Sequence, residues 1–251
     1  MKRSMHGVSV ALFVMAVAMT VPAEEKTIEK MALDKIPSGA IDAAKKALQG
    51  FEVKGGEKEP VAGKTNYKLE GTVGAKDAVV VVSADNRVLM MEQGLELKYV
   101  PVAVTAAAIE TVTGFVADKA MKGTDGQVTF FVLNGKAESK SYILRVTLDG
   151  KVLEVKEAIE VKSVPQAVTA TAVKIVQDFT TVTAQKITQG VTVAFDLQGK
   201  VLDKPYELVI NSEGKLISLI TIVEIKADEG ETTGKANIIK SGRKGGGKRG
   251  K

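Results

Sequence analysis

The sequence predicts an α+β protein made of three tandem repeats, each a helix packed on an antiparallel sheet of about four strands. Three observations predict it. Segments of the chain align without a gap at a spacing of 64 residues. Each opens with helical periodicity, and each continues with a period of two. The openings are "LDKIPSGAIDAAKKALQGF" from Leu33, "LKYVPVAVTAAAIETVTGF" from Leu97 and "VKSVPQAVTATAVKIVQDF" from Val161. Pro37, Pro101 and Pro165 coincide, as do Ala44, Ala108 and Ala172, and Phe51, Phe115 and Phe179.

The helix comes first. Proline suits a helix start, because its missing N–H would be unpaired there anyway. Ala40, Ala44, Leu48 and Phe51 fall on one helical stripe. Val104, Ala108, Val112 and Phe115 repeat it, as do Val168, Ala172, Val176 and Phe179. The alanine in mid-stripe lets the helix approach a sheet closely. Strands follow. In "SYILRVTL", Tyr142, Leu144, Val146 and Leu148 alternate with Ile143, Arg145 and Thr147, the pattern of a half-buried strand. Asp149-Gly150 and Glu213-Gly214 mark hairpin turns, and Asn86 takes the glycine place in the first segment. "LELK", "IEVK" and "VEIK" close the three units. Open edges on the first and last sheets would be available for self-association.

The middle helix region, "VPVAVTAAAIETVTGFVA" from Val100, is almost wholly apolar. Its counterparts carry Lys45, Lys46, Lys174 and Asp178, so it reads as a core helix rather than a membrane span. Ile109 stands where the first segment has Lys45. A central unit has neighbours on both sides, so this helix is expected to be covered on more than one face.

The ends differ from the body. Lys2 and Arg3 precede an apolar run from Val8 to Val21, and Val21 and Ala23 occupy the small-residue cleavage positions. A span needs roughly 20 apolar residues. Residues 1–23 therefore read as a signal peptide cut between Ala23 and Glu24, leaving no transmembrane span. The expected plan is then a linker at 24–32, repeats at 33–96, 97–160 and 161–227, and a basic Gly/Lys-rich tail at 228–251. Residues 24–234 carry 26 basic and 30 acidic side chains, whereas 235–251 carry seven basic and no acidic ones. That tail reads as disordered. Arg243, Lys244, Lys248, Arg249 and Lys251 are its candidate contacts to an anionic surface. Without interleaved aromatic residues it offers no stacking platform for nucleic acid, and specific nucleic-acid binding is not expected.

The helix, the aromatic-x-aliphatic strand and the D-G-K-V-L hairpin together resemble the PepSY domain and PepSY-like repeats. "YKLE" at Tyr67, "LDGKVL" at Leu148 and "SEGKLI" at Ser212 carry the resemblance, over about residues 33–226. Domains of that family are typically exported and occur in propeptides of secreted metallopeptidases, where they are linked to inhibition and folding. A similar helix-on-sheet repeat occurs in a protein inhibitor of β-lactamase. The resemblance thus implies a binding or inhibitory module. It carries no catalytic motif, and no peptidase domain follows the repeats here.

The composition narrows the chemistry. His6 is the only histidine, it lies in the signal segment, and cysteine is absent. A Ser–His–Asp triad lacks its base, and Cys nucleophiles and structural zinc sites lack their ligands. Glu96, Glu160 and Glu224 recur with Lys98, Lys162 and Lys226, which reads as a solvated strand face rather than an acidic site. "GETTGKA" at Gly230 lacks a spacer residue and the hydroxyl of a phosphate loop. "KGTDGQ" at Lys122 falls short of a calcium loop. No catalytic, metal or cofactor site is expected. The expected function is an exported, non-catalytic binding protein with a protein partner, modulating or inhibiting a secreted peptidase or other envelope enzyme. The alternative is a structural or anchoring envelope protein held by its basic tail.

Overall fold

The computed structural model describes residues 24–61 and 63–224. The elements run β1 (Glu24–Met31), α1 (Ser38–Ala47), β2 (Phe51–Val61), β3 (Lys64–Val73), β4 (Lys76–Ser83), β5 (Val88–Leu95), α2 (Val102–Thr111), β6 (Val116–Asp125), β7 (Val128–Ala137), β8 (Lys140–Thr147), β9 (Val152–Ile159), α3 (Gln166–Ile175), β10 (Thr180–Gln189), β11 (Thr192–Val201), β12 (Lys204–Asn211) and β13 (Leu216–Glu224). A short 3-10 turn precedes each helix, at Leu33–Lys35, Leu97–Tyr99 and Val161–Ser163.

The expected three separate sheets are overturned. All thirteen strands form one closed barrel in the order β1-β13-β12-β11-β10-β9-β8-β7-β6-β5-β4-β3-β2. The would-be boundaries are ladders: β5 pairs with β6 from Met90↔Asp125 to Leu95↔Ala120, and β9 pairs with β10 from Ile159↔Ala184 to Val155↔Thr188. The open edges expected at the first and last units are likewise filled. Residues 24–31, taken as linker, are strand β1. It lies parallel to β13, from Glu24↔Ser218 to Lys30↔Glu224, and antiparallel to β2 at Glu29↔Lys58, Lys30↔Glu57 and Met31↔Gly56. Unpaired backbone groups along a sheet edge are a liability that closure removes.

The helices lie against the outside of this wall. Each begins just after its proline and buries the small residues of its stripe: Ala40 and Ala44, Val104 and Ala108, Val168 and Ala172. Under each helix sits a separate cluster. Phe51, Leu69, Val80 and Val82 lie beneath α1. Phe115, Leu133, Leu144 and Val146 lie beneath α2. Phe179, Leu197, Leu208 and Ile210 lie beneath α3. Two local devices recur with them. Asn86, Gly150 and Gly214 take φ of 61, 86 and 84° at the hairpin turns, where a left-handed residue is required. Gly71, Gly135 and Gly199 let the phenylalanine under each helix lie flat on the sheet. A Cβ on Gly135 would stand 2.2 Å from the Val116 carbonyl oxygen and 2.8 Å from the Phe115 ring.

The expectation for the middle helix is also overturned. Ile109 is 49% exposed, against 53% for Val173 in α3, and Lys45 in α1 is exposed as well. All three residues point away from the wall. The central place of α2 therefore gives its outer face no extra cover.

The Gly135 contacts yield a stability prediction. Gly135→Ala should destabilise the protein by about 1–3 kcal/mol through overpacking, read as a lower urea midpoint at unchanged slope. An unchanged midpoint would show that the ring and strand can move apart freely.

Candidate functional site

Every strand of the barrel has a second face, turned inward. No helix covers it, yet many of its residues are buried, which in a closed sheet means that the opposite wall covers them. Barrels of about eight strands are filled by side chains alone, and those of 16–18 leave an aqueous channel. Thirteen strands stand between these cases, and the inward face here is charged.

Among the described residues, four cations lie buried on this face: Lys26, Lys68, Arg145 and Lys156. The carboxylates that approach them come from strands all round the barrel. Lys68 is 4% exposed, and its ammonium lies 3.0 Å from Glu57 Oε2 and 2.9 Å from Glu70 Oε1. Burial works against its charge, but these two carboxylates outweigh burial and raise its pKa. Arg145 stacks its guanidinium 3.5 Å from the centroid of the Phe130 ring. Gly123 makes room there, since a Cβ at that position would stand 2.4 Å from the Phe130 ring edge. Burial lowers the Arg145 pKa, opposed by Glu92, Asp125 and Glu154. Lys156 Nζ stands 3.8 Å from Glu154 Oε1, whose other oxygen accepts a hydrogen bond from Gln189 Nε2 at 2.7 Å.

The acids outnumber the cations. Glu92 and Asp196 are each 1% exposed, and neither Glu92 oxygen nor Asp196 Oδ1 has a hydrogen-bond partner. Glu59 Oε2 is in the same state. Burial pushes the Glu59 carboxyl up to about 7, with Lys68 opposing and Glu57 adding to the shift. Burial, then the neighbouring Glu207, raises Asp196 to about 7. Burial raises Glu207 and Glu92 as well. Unpaired buried charge is costly in a low-dielectric interior, and carboxyls respond by keeping their protons.

Among the described residues no group of three or more His, Cys, Asp or Glu side chains is placed to hold a metal ion. Outside the barrel, a groove of about 400 Å³ runs between the end of α2 and the β7–β8 hairpin, lined by Thr111, Thr113, Lys140, Tyr142, Glu157 and Thr188. Its polar centre is the Lys140 Nζ–Glu157 Oε1 pair at 2.6 Å.

The residues singled out from the sequence fall elsewhere. Ala23, Arg243, Lys244, Lys248, Arg249 and Lys251 lie outside the described residues, and Glu24 begins β1. Glu96 and Glu160 are exposed and pair locally with Lys98 and Lys162, each at 2.7 Å. The half-buried reading of "SYILRVTL" needs correction, because Arg145 on its polar face is buried. The charged interior leaves its signal in the alignment of the three segments. Outward positions keep their character at each 64-residue step, as in Leu69, Leu133 and Leu197. Inward ones do not: Lys68, Val132 and Asp196 are equivalent, as are Glu92, Lys156 and Ile220, and Val79, Ile143 and Glu207.

A second feature lies on the outside. Val102, Ala106 and Ile109 form an exposed stripe along α2, with Val102 85% exposed. The equivalent residues of α1 are Ser38, Asp42 and Lys45. Tyr99 and Val116, beside the two ends of α2, are exposed too.

No family model matches the chain, and no curated protein matches it. Among solved structures it is similar to a BLIP-like protein from Bacteroides fragilis, at 22% identity over 48% of this chain and 85% of that one, with a TM-score of 0.38. A putative periplasmic protein from Bacteroides eggerthii matches at 13% identity over 49% of this chain and 89% of that one, with a TM-score of 0.41. A DUF2874 family protein from Bacteroides uniformis matches at 14% identity over the same shares, with a TM-score of 0.40. At these scores the likeness establishes neither the thirteen-stranded closure nor a function for this chain.

The interior pairing around Lys68 is directly testable. Lys68→Met strands Glu57 and Glu70 without their cation and should cost about 3–5 kcal/mol, the usual penalty for breaking a buried ion pair. Adding Glu57→Gln should recover part of that loss in urea unfolding, and no recovery would mean that the two side chains are not energetically coupled.

Proposed function

We propose that the chain is an exported, non-catalytic protein-binding module that docks a partner protein on the outer face of α2. The observation that carries this reading is the contrast between α2 and α1; α3 stands between them, with Gln166, Ala170 and Val173 at the same positions. Single exposed apolar side chains are ordinary. A continuous stripe is not, when the same positions one unit earlier hold serine, aspartate and lysine. The stripe also selects the class of partner. Helix α2 has no basic residue and a single acidic one, Glu110, so it lacks the cations that would attract an anionic polymer or an anionic membrane surface. Small residues let a partner's backbone come close, and Tyr99 and Val116 extend the apolar area past both ends of the helix.

The finer reading is that the partner is a secreted peptidase or another envelope enzyme, which the module modulates. The PepSY-like character of the sequence and its signal-like first 23 residues support that choice.

The test writes the outer face of α1 onto α2. The triple variant Val102→Ser/Ala106→Asp/Ile109→Lys alters exposed side chains only and should keep the wild-type melting temperature within a few degrees. Used as baits on the same envelope extract, wild type should retain at least one protein that the variant loses, and adding that purified protein should give a complex by light scattering. Identical retention by the two baits would sink the proposal.

A further inference from the structure

The acid excess of the barrel interior raises a question of counter-charge. Among the described residues, eight buried or half-buried carboxyls face inward, namely Glu57, Glu59, Glu70, Glu92, Asp125, Glu154, Asp196 and Glu207, against Lys26, Lys68, Arg145 and Lys156. The carboxyl oxygens left without partners on Glu59, Glu92 and Asp196 have no solvent access. A counter-ion with a radius needs room and a route in, and a proton needs neither.

The interior also borders the shortest ladder of the barrel. Strand β1 pairs with β2 at three positions, whereas β2 pairs with β3 at ten. Beyond Glu29↔Lys58 the two strands part, and Pro60, which has no N–H to donate, lies on the departing stretch of β2. Glu59 is the next β2 residue after that last pair.

We propose that the interior is a proton-operated latch: protons held by Glu59 and Asp196 keep the β1–β2 seam shut, and their loss loosens it. Glu59 faces Lys68 of β3, Glu57 of its own strand, Lys26 of β1 and Glu207 of β12. Asp196 faces Glu207 of β12 and both Lys156 and Glu154 of β9. Glu207 is common to the two sets, so each proton lost adds negative charge to one shared cluster. Opening the seam admits water to the new carboxylates, and the three-pair ladder is the least costly place to open.

The direction follows from linkage. These carboxyls hold protons more tightly folded than unfolded, so their stabilising effect is full below the unfolded range near 4 and is lost as pH rises through about 7. An exported protein meets that range directly.

Hydrogen exchange on the purified protein tests the latch without reference to any partner, so its failure and the failure of the docking proposal are distinguishable. Protection factors, corrected for intrinsic rates, are compared at pH 5.5 and pH 8. We expect those of the seam amides within Glu29–Met31 and Gly56–Lys58 to fall about tenfold or more at pH 8, the effect of one pKa unit, while those of β7 stay within about twofold. The isosteric pair Glu59→Gln/Asp196→Asn should abolish the fall and raise the melting temperature at pH 8. If that variant does not fold, the wild-type comparison still decides. An equal fall in β1 and β7 would indicate global destabilisation and overturn the seam assignment. No fall, or a fall that survives in the variant, would overturn the latch.

Discussion

The barrel depends on one strand being paired along both of its sides. Strand β1 arrives first in the sequence and fills the gap between the last strand and the second, parallel to β13 and antiparallel to β2. Without it the other twelve strands would form an open sheet with two bare edges and a solvated second face. With it that face becomes an interior, and every charge on it must find a partner, keep a proton or cost stability.

This constraint divides the strands into two surfaces under different rules. The outward surface packs beneath helices, so it keeps the same apolar side chains at each 64-residue step, built around Leu69, Leu133 and Leu197. The inward surface packs against non-equivalent walls, so equivalent positions have diverged into complementary charges. Lys68 meets Glu57 and Glu70, while its counterpart Asp196 lies near Lys156. Interactions of this kind stabilise little when made and cost much when broken. They tie each segment to its own place in the ring. The helices present a third surface, charged on α1 and most apolar on α2.

Local structure was legible in the sequence because its causes are local. Proline at each helix entry, alanine in mid-stripe and a left-handed residue at each hairpin act within a few positions, and Asn86 was readable as a stand-in for glycine. Closure was not legible, because it is a pairing between the two ends of the fold. Residues 24–31 look like a short charged linker, and only the match of Met31 with Leu95 and Ile159 hints that they repeat the last strand of a unit. The charged interior was misread for the same reason. Alternation of apolar and charged residues signals a half-solvated strand whenever the second face is open, and Arg145 obeys that pattern while being buried. The apolarity of α2 suggests burial in the sequence, whereas Ile109 faces solvent.

The central claim is the closure through β1. The chain has no cysteine, so spin labels can be placed at will. Labels on Thr27→Cys and Thr221→Cys, partners in the parallel ladder, report it directly. The closed barrel predicts strong dipolar broadening in the doubly labelled protein, as for adjacent strands about 5 Å apart. A spectrum equal to the sum of the two singly labelled proteins would contradict closure, and with it the enclosed charge cluster.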